Sequence, residues 1–189
     1  KYATEQGYKR VIAMAPNYQA GKDYIAGFKR YFEGDEVEEI YTPLNQLDFS
    51  AELTRVAVSK PDAVFIFYPG GLGINFVRQY QQLGLMNSVP LLATATVDGT
   101  TLPAMKEAAL GVNIGTFWSP DLDVPENKVF LEEFEKKHNR IPSQYAAQSY
   151  DAALLIASAL KKVNGDMSDK KAFAKALKEA DFNSVRGSF

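Results

Sequence analysis

Five short apolar runs alternate with amphipathic stretches along this chain, and that alternation restricts the possible folds more than any other feature. The runs are Val11 to Ala15, Glu38 to Tyr41, Ala63 to Tyr68, Pro90 to Thr94 and Val112 to Trp118. Strands separated by helices read as a parallel sheet flanked by helices, an α/β fold. Right-handed crossovers bring every strand-to-helix loop out at one edge of such a sheet, where these folds bind ligands. The segments after the runs hold aromatics, glycines and small hydroxyls, so this material converges on one cleft.

The intervening periodicity predicts the helices. Tyr24, Ile25, Phe28 and Phe32 share one face of a helix over 22–32, which Gly34 stops. Asp48 is placed to cap a helix over 49–59, and Lys60-Pro61 breaks it. The third run, AVFIFYP, is apolar at every position, as a central strand covered on both faces should be. A helix follows it through Leu83, and a short one spans 102–109. The helix over 126–138 is charged, with Val129, Phe130 and Phe134 expected to turn inward. Helices over 145–163 and 169–180 then follow each other with no strand between them. A domain boundary is therefore expected near Arg140 to Ser143, with 1–143 as one unit and 144–189 as another. Val185 to Phe189 reads as the start of a strand.

Composition removes several function classes. A chain of 189 residues, 46% hydrophobic, can bury one sizeable core with a smaller annex. Its 21 basic and 23 acidic residues are spread evenly, giving a formal net charge of −2 without a basic stripe, which argues against nucleic acid as a partner. The absence of cysteine excludes thiol catalysis, disulfides and cysteine-bound zinc, and leaves the compartment open. The longest apolar run, Ala152 to Leu160, falls well short of the ~20 residues that span a bilayer. Both ends read as cut from a longer chain, so a missing signal peptide carries no information about location.

Motifs that suggest chemistry have simpler readings. Gly70-Gly71-Leu72-Gly73 follows a strand and opens a helix, but Asn75 and Phe76 break the dinucleotide fingerprint. A tight turn that lets a small ligand approach the backbone fits better. Gly21-Lys22-Asp23 lacks the hydroxyl and upstream glycine of a phosphate loop and reads as a helix start. Ser168-Asp169-Lys170-Lys171 matches S-x-x-K, yet it opens a lysine-rich helix that a serine N-cap explains. His138 has no partner histidine, and the spacing of Asp121, Asp123 and Glu126 matches no calcium loop. No cofactor, metal or catalytic residue is expected.

Tyr18, Tyr68 and Trp118 stand at or just past strand ends, where they either wall in an apolar ligand or finish the core. Thr94 and Thr96 at the same edge tilt the reading toward a site. The segments APNYQAGKDYIAGFKRYF, PDAVFIFYPG, PLLATATVDGTTL and IPSQYAAQSYDAALLIASAL resemble the type I periplasmic binding proteins, in particular the Leu/Ile/Val-binding receptors of ABC importers. The resemblance runs over essentially the whole chain.

It implies one Rossmann-like lobe of a two-lobe, hinged receptor, with residues from about 144 crossing back to a first lobe whose sheet is absent. It also implies a non-enzymatic, extracytoplasmic protein that delivers a small molecule to ABC permease subunits. The ligand contacts it implies on this chain are Tyr18, Ala20 and Gly21, then Tyr68, Pro69 and Gly70, then Thr94, Ala95, Thr96 and Asp98, with Trp118 packing beside them. Amino acid receptors of this group place an acid in the third loop, where this chain has Ala95 or Thr96. Asp98 is left either to replace it or to cap the next helix. The implied ligand is an apolar carboxylate, either an aromatic acid or a hydrophobic amino acid. A sensory or receptor ectodomain of the same fold is the alternative role.

Overall fold

The computed structural model describes residues 1–179 and 181–187, which form two compact units, Lys1–Thr116 and Phe117 onward. In the first, five parallel strands lie in the order β2-β1-β3-β4-β5. They are β1 (Arg10–Pro16), β2 (Glu36–Thr42), β3 (Ala63–Ile66), β4 (Leu91–Thr94) and β5 (Asn113–Gly115). The helices are α1 (Tyr2–Glu5), α2 (Gln19–Tyr31), α3 (Ser50–Ser59), α4 (Gly71–Gln82) and α5 (Leu102–Met105), the last continued by a 3-10 turn over Lys106–Ala109. All five expected strands are present. The fifth is shorter than its apolar run, ending at Gly115 rather than Trp118.

The chain steps one way along the sheet from β1 to β2 and the other way through β3, β4 and β5. Right-handed connections therefore put α2 on one face and α3, α4 and α5 on the other. The alternation of side chains along each strand sorts the core accordingly. Ile12, Met14, Val64, Ile66, Tyr68 and Leu91 face α3 and α4, meeting Phe49, Leu53, Phe76 and Tyr80. Val11, Ala13, Phe65, Phe67 and Leu92 point the other way and meet Ile25 of α2 and Ala3 of α1. Each large apolar side chain so buried contributes ~1.5–3 kcal/mol before entropy is charged against it. On the α2 face an open groove of about 700 Å³ remains between α2 and α1, floored by Phe65 and Leu92.

Asp62 ties the amino ends of β1 and β3 together. Its Oδ2 accepts the backbone N–H groups of Lys9 at 2.7 Å and Arg10 at 2.8 Å, and its own N–H donates to the Arg10 carbonyl at 2.8 Å. Those donors hold the carboxyl below its ordinary value of 3.8.

The second unit contains α6 (Pro125–His138), α7 (Gln144–Lys162) and α8 (Lys170–Lys178). Trp118, Phe130, Ala147 and Val185 form its core. The composition change at Pro142 is not where the compact units meet. Phe130 of α6 packs on Tyr150 of α7 with centroids 4.9 Å apart, so 139–143 is a turn within one unit. Ser143 caps α7, its Oγ accepting the Ala146 N–H at 3.2 Å. Val129, expected inward, is 59% exposed, because Asn127 and Phe130 take the buried face of α6. The cap of α8 is Asp169, not Ser168: its Oδ1 accepts from the amides of Lys171 and Ala172. Asp151 is buried on α7 and gathers the Ser184 hydroxyl at 2.6 Å, the Val185 amide at 3.2 Å and Arg186 Nε at 2.9 Å. Residues 185–187 therefore form a turn held by a carboxylate, not the start of a strand; 188 and 189 lie outside the described residues.

Candidate ligand-binding site

The strand order reverses between β1 and β3, so their following loops diverge and leave a crevice at the carboxyl edge of the sheet. Both loops are built alike. A glycine five positions after a strand-end carbonyl lets the helix start directly behind the strand. A Cβ on Gly21 would stand 2.1 Å from the Pro16 carbonyl oxygen, and one on Gly73 would stand 2.1 Å from that of Tyr68. Gly70, the N-cap of α4, adopts φ 63° and ψ −135°, a conformation that favours glycine. Tyr18 is the N-cap of α2, and neither α2 nor α4 takes a side-chain cap on its first turn. Both helices begin at this edge, and uncapped first-turn N–H groups there are suited to an anion.

The aromatics divide by strand parity. Phe67 is buried and stacks on Tyr24 at 3.9 Å and, more loosely, on Tyr18 at 6.4 Å. Tyr18 stays partly exposed at the rim, with Ala20 beside it. Tyr68 points through the opposite face and is fully buried. Its ring stacks on Phe76 at 5.1 Å and tilts against Phe49 at 5.2 Å. Its hydroxyl bonds with Thr42 Oγ1 at 3.0 Å, and burial pushes the phenol above its ordinary range. The expectation that Tyr68 faces the cleft is thus corrected: the ring finishes the core, while Pro69 and exposed Gly70 carry that loop to the surface.

The third loop is largely satisfied by itself. Thr96 is fully buried; its Oγ1 donates to the Thr94 carbonyl at 3.1 Å and accepts the Tyr68 N–H at 3.2 Å. The expected ligand contact by the Thr96 hydroxyl is corrected, since that hydroxyl joins two strand ends. Asp98 caps the turn: its Oδ1 accepts from Thr100 N at 2.7 Å, Thr100 Oγ1 at 2.6 Å and Thr101 N at 3.3 Å. Ala95 holds φ 52°, left-handed for a residue with a Cβ, and with Thr94 it remains partly exposed.

Trp118 belongs to the second unit. Its indole is 4% exposed, donates Nε1–H to Asn127 Oδ1 at 2.7 Å and lies edge-on to Phe130. The expectation of a ligand-facing indole is corrected to a core role there. Phe67 and Tyr24 were missed as the wall behind Tyr18. The parity of AVFIFYP held the signal for Phe67, because adjacent strand residues face opposite ways. In the first unit the edge therefore offers Tyr18, Gly70, Thr94, Ala95 and the first turns of two helices.

A parallel sheet of this order, with glycine-pinned helix starts at its switch point, is an α/β unit of the doubly wound class, with its crevice at the edge where such folds bind ligands. The chain belongs to the periplasmic binding protein family, which it matches over residues 1–189. It is 32% identical over 196 aligned positions to the Leu/Ile/Val-binding protein homolog 6 of Brucella melitensis, covering 99% of this chain and 50% of that one. A solute-binding protein of an ABC transporter from R. palustris, solved with benzoate, superposes with a TM-score of 0.92 at 30% identity, covering 98% of this chain and 52% of that one. Another, from Rhodopseudomonas palustris BisB5 and solved with 3,4-dihydroxybenzoic acid, gives 0.87 at 34% identity, with 98% and 52% covered. The chain spans about half the length of the curated relatives it matches.

Proposed function

We propose that this chain is part of the extracytoplasmic solute receptor of an ABC importer and binds an aromatic carboxylic acid without transforming it. The observation that carries this reading is the state of the third loop. A buried ammonium without a counter-charge costs several kcal/mol, so a tight amino acid site needs a carboxylate beside it. Here Ala95 and Thr96 stand where such an acid is expected, and Asp98 spends its Oδ1 on its own turn. The uncapped first turns of α2 and α4 suit the ligand's carboxylate, and Tyr18, backed by Phe67 and Tyr24, suits its ring. Benzoate and dihydroxybenzoate in two similar receptors support the same class.

In this reading the first unit supplies one wall of the site, and a lobe outside this chain supplies the other. The ligand favours closure by touching both. Our reading has the chain cross between lobes after Thr116, and the division of the chain into compact units there supports it. The side of α7 bearing Tyr145 and Ile156, 46% and 47% exposed, is assigned to contact with the rest of the receptor. Membrane permease subunits are the partners.

The test is calorimetry on the full-length receptor, comparing benzoate and its hydroxylated forms with leucine, isoleucine, valine and phenylalanine. Tighter binding of the aromatic acids is expected. Preference for the amino acids, lost in Asp98→Asn, would overturn the reading and identify Asp98 as the ammonium's partner.

A further inference from the structure

At the carboxyl edge of the sheet one buried side chain reaches across a strand. Thr42 ends β2 and is paired in register with Pro16, the last residue of β1. The register between β1 and β3 matches Met14 to Ile66, so two residues on, Pro16 and Tyr68 share a row. Thr42, Pro16 and Tyr68 thus lie in line across β2, β1 and β3, all buried, on the face covered by α3 and α4. The outer two stand on strands two places apart, about 10 Å at ordinary strand spacing. The Tyr68 phenol closes that gap, and its hydroxyl bonds with Thr42 Oγ1 at 3.0 Å.

We infer that Tyr68 is a positioning residue of the binding edge, its hydroxyl strapping the start of the first ligand loop between β2 and β3. That loop leaves β1 at Pro16. Proline has no N–H, so it cannot extend the ladder toward β3 beyond the bond from the Phe67 N–H to the Met14 carbonyl at 3.0 Å. Toward β2 the loop is held by the Asn17 N–H, which donates to the Thr42 carbonyl at 2.8 Å. Thr42 therefore grips the loop with its backbone and Tyr68 with its side chain. Packing on Phe49 and Phe76 asks for an aromatic ring, not a hydroxyl, and the hydroxyl is what reaches Thr42.

From Tyr68 the bonds run on into the third loop. Its N–H donates to Thr96 Oγ1 at 3.2 Å. The Thr96 carbonyl accepts from Thr101 Oγ1 at 2.9 Å, and that hydroxyl in turn accepts the Asp98 N–H at 3.0 Å. Tyr68 is the member through which the first loop and the third are joined. In such a buried network the loss of one member leaves its partner unsatisfied, so the loops are held in one arrangement. The inference rests on reading this edge as the ligand site, and it adds what fixes Tyr18 and the first turn of α2 there. A loop that leaves its place for part of the time binds more weakly by that fraction.

The test uses the full-length receptor and two readouts. In the ligand-free protein, Tyr68→Phe should speed amide hydrogen exchange at Asn17 and Tyr18 about fivefold. Residues 94–98 should keep the parent's rate, because the Tyr68 N–H still bonds Thr96. Thr42→Val should act alike, which covers a Tyr68→Phe that fails to fold, and Thr42→Ser should restore the parent's rate. The double variant Tyr68→Phe/Thr42→Val leaves neither hydroxyl stranded, so its stability should recover while exchange in the first loop stays fast. With benzoate as probe, Tyr68→Phe should bind about fivefold more weakly, through slower association and unchanged dissociation, because fewer molecules hold the loop ready. Exchange that rises evenly along the chain, or not at all, overturns the inference, as does faster loop exchange with unchanged benzoate affinity. A parent receptor that does not bind benzoate refutes the aromatic-acid reading instead, and the exchange comparison then decides this inference by itself.

Discussion

Thr96 Oγ1 accepts the backbone N–H of Tyr68 at 3.2 Å while donating to the carbonyl of Thr94 at 3.1 Å. One buried hydroxyl thus joins the end of β3 to the end of β4. It also sets where the β3 loop departs for the surface, so a hydroxyl spent inside the fold positions the crevice.

Replacing that hydroxyl strands two backbone groups in the interior. Thr96→Val keeps the shape and should cost about 1–3 kcal/mol, the range for a buried donor or acceptor left unsatisfied. Thr96→Ser restores the hydroxyl and should recover most of it. Urea denaturation of the full-length receptor measures both. A Thr96→Val midpoint within error of the parent's would show that the bond contributes nothing.

The glycines of the β3 loop are predicted to differ sharply. A Cβ on Gly73 meets the Tyr68 carbonyl at 2.1 Å and Thr96 Cγ2 at 2.7 Å, whereas one on Gly71 meets nothing within 4 Å. Gly73→Ala should therefore lose on the order of 3 kcal/mol or fail to fold. Gly71→Ala should be neutral or stabilising by up to about 1 kcal/mol, as helix propensity favours alanine. Thermal unfolding of the two variants side by side decides the matter, and equal losses would refute the packing account.

Acid should loosen the junction held by Asp62. Its folded-state carboxyl lies below the ordinary value of 3.8 because the amides of Arg10 and Lys9 favour the charged form. The stability this contributes is present above the unfolded-state value and lost as pH falls through it toward the folded one. Asp62 is exposed, so solvent screens the effect and the loss should be small. Comparing the parent with Asp62→Asn by denaturation between pH 6 and 3 should show the two curves converging at the acid end. Parallel curves would mean that the carboxylate has no linked role.

Much of the architecture was legible in the sequence, because strand and helix periods are local properties of the chain. The five apolar runs became the five parallel strands, and Gly34 and Lys60-Pro61 fell at helix ends. The switch-point loops were locatable because crossovers of one hand force them to a common edge. The direction of individual rings at that edge was not. Phe67 and Tyr68 are neighbours in sequence, yet one backs the rim while the other fills the opposite core, a division that depends on which face α3 and α4 cover. Trp118 stands at the rim only if β5 reaches it. The strand stops at Gly115, and Asn127 and Phe130 claim the indole in the second unit. The elements and their handed connections were readable from the chain alone, since both follow from backbone sterics and hydrophobic period. Which polar groups are spent internally emerges from the folded arrangement alone. Whether the Thr96 hydroxyl and the Asp98 carboxylate remain available to a ligand depends on the backbone groups that folding brings within hydrogen-bond reach.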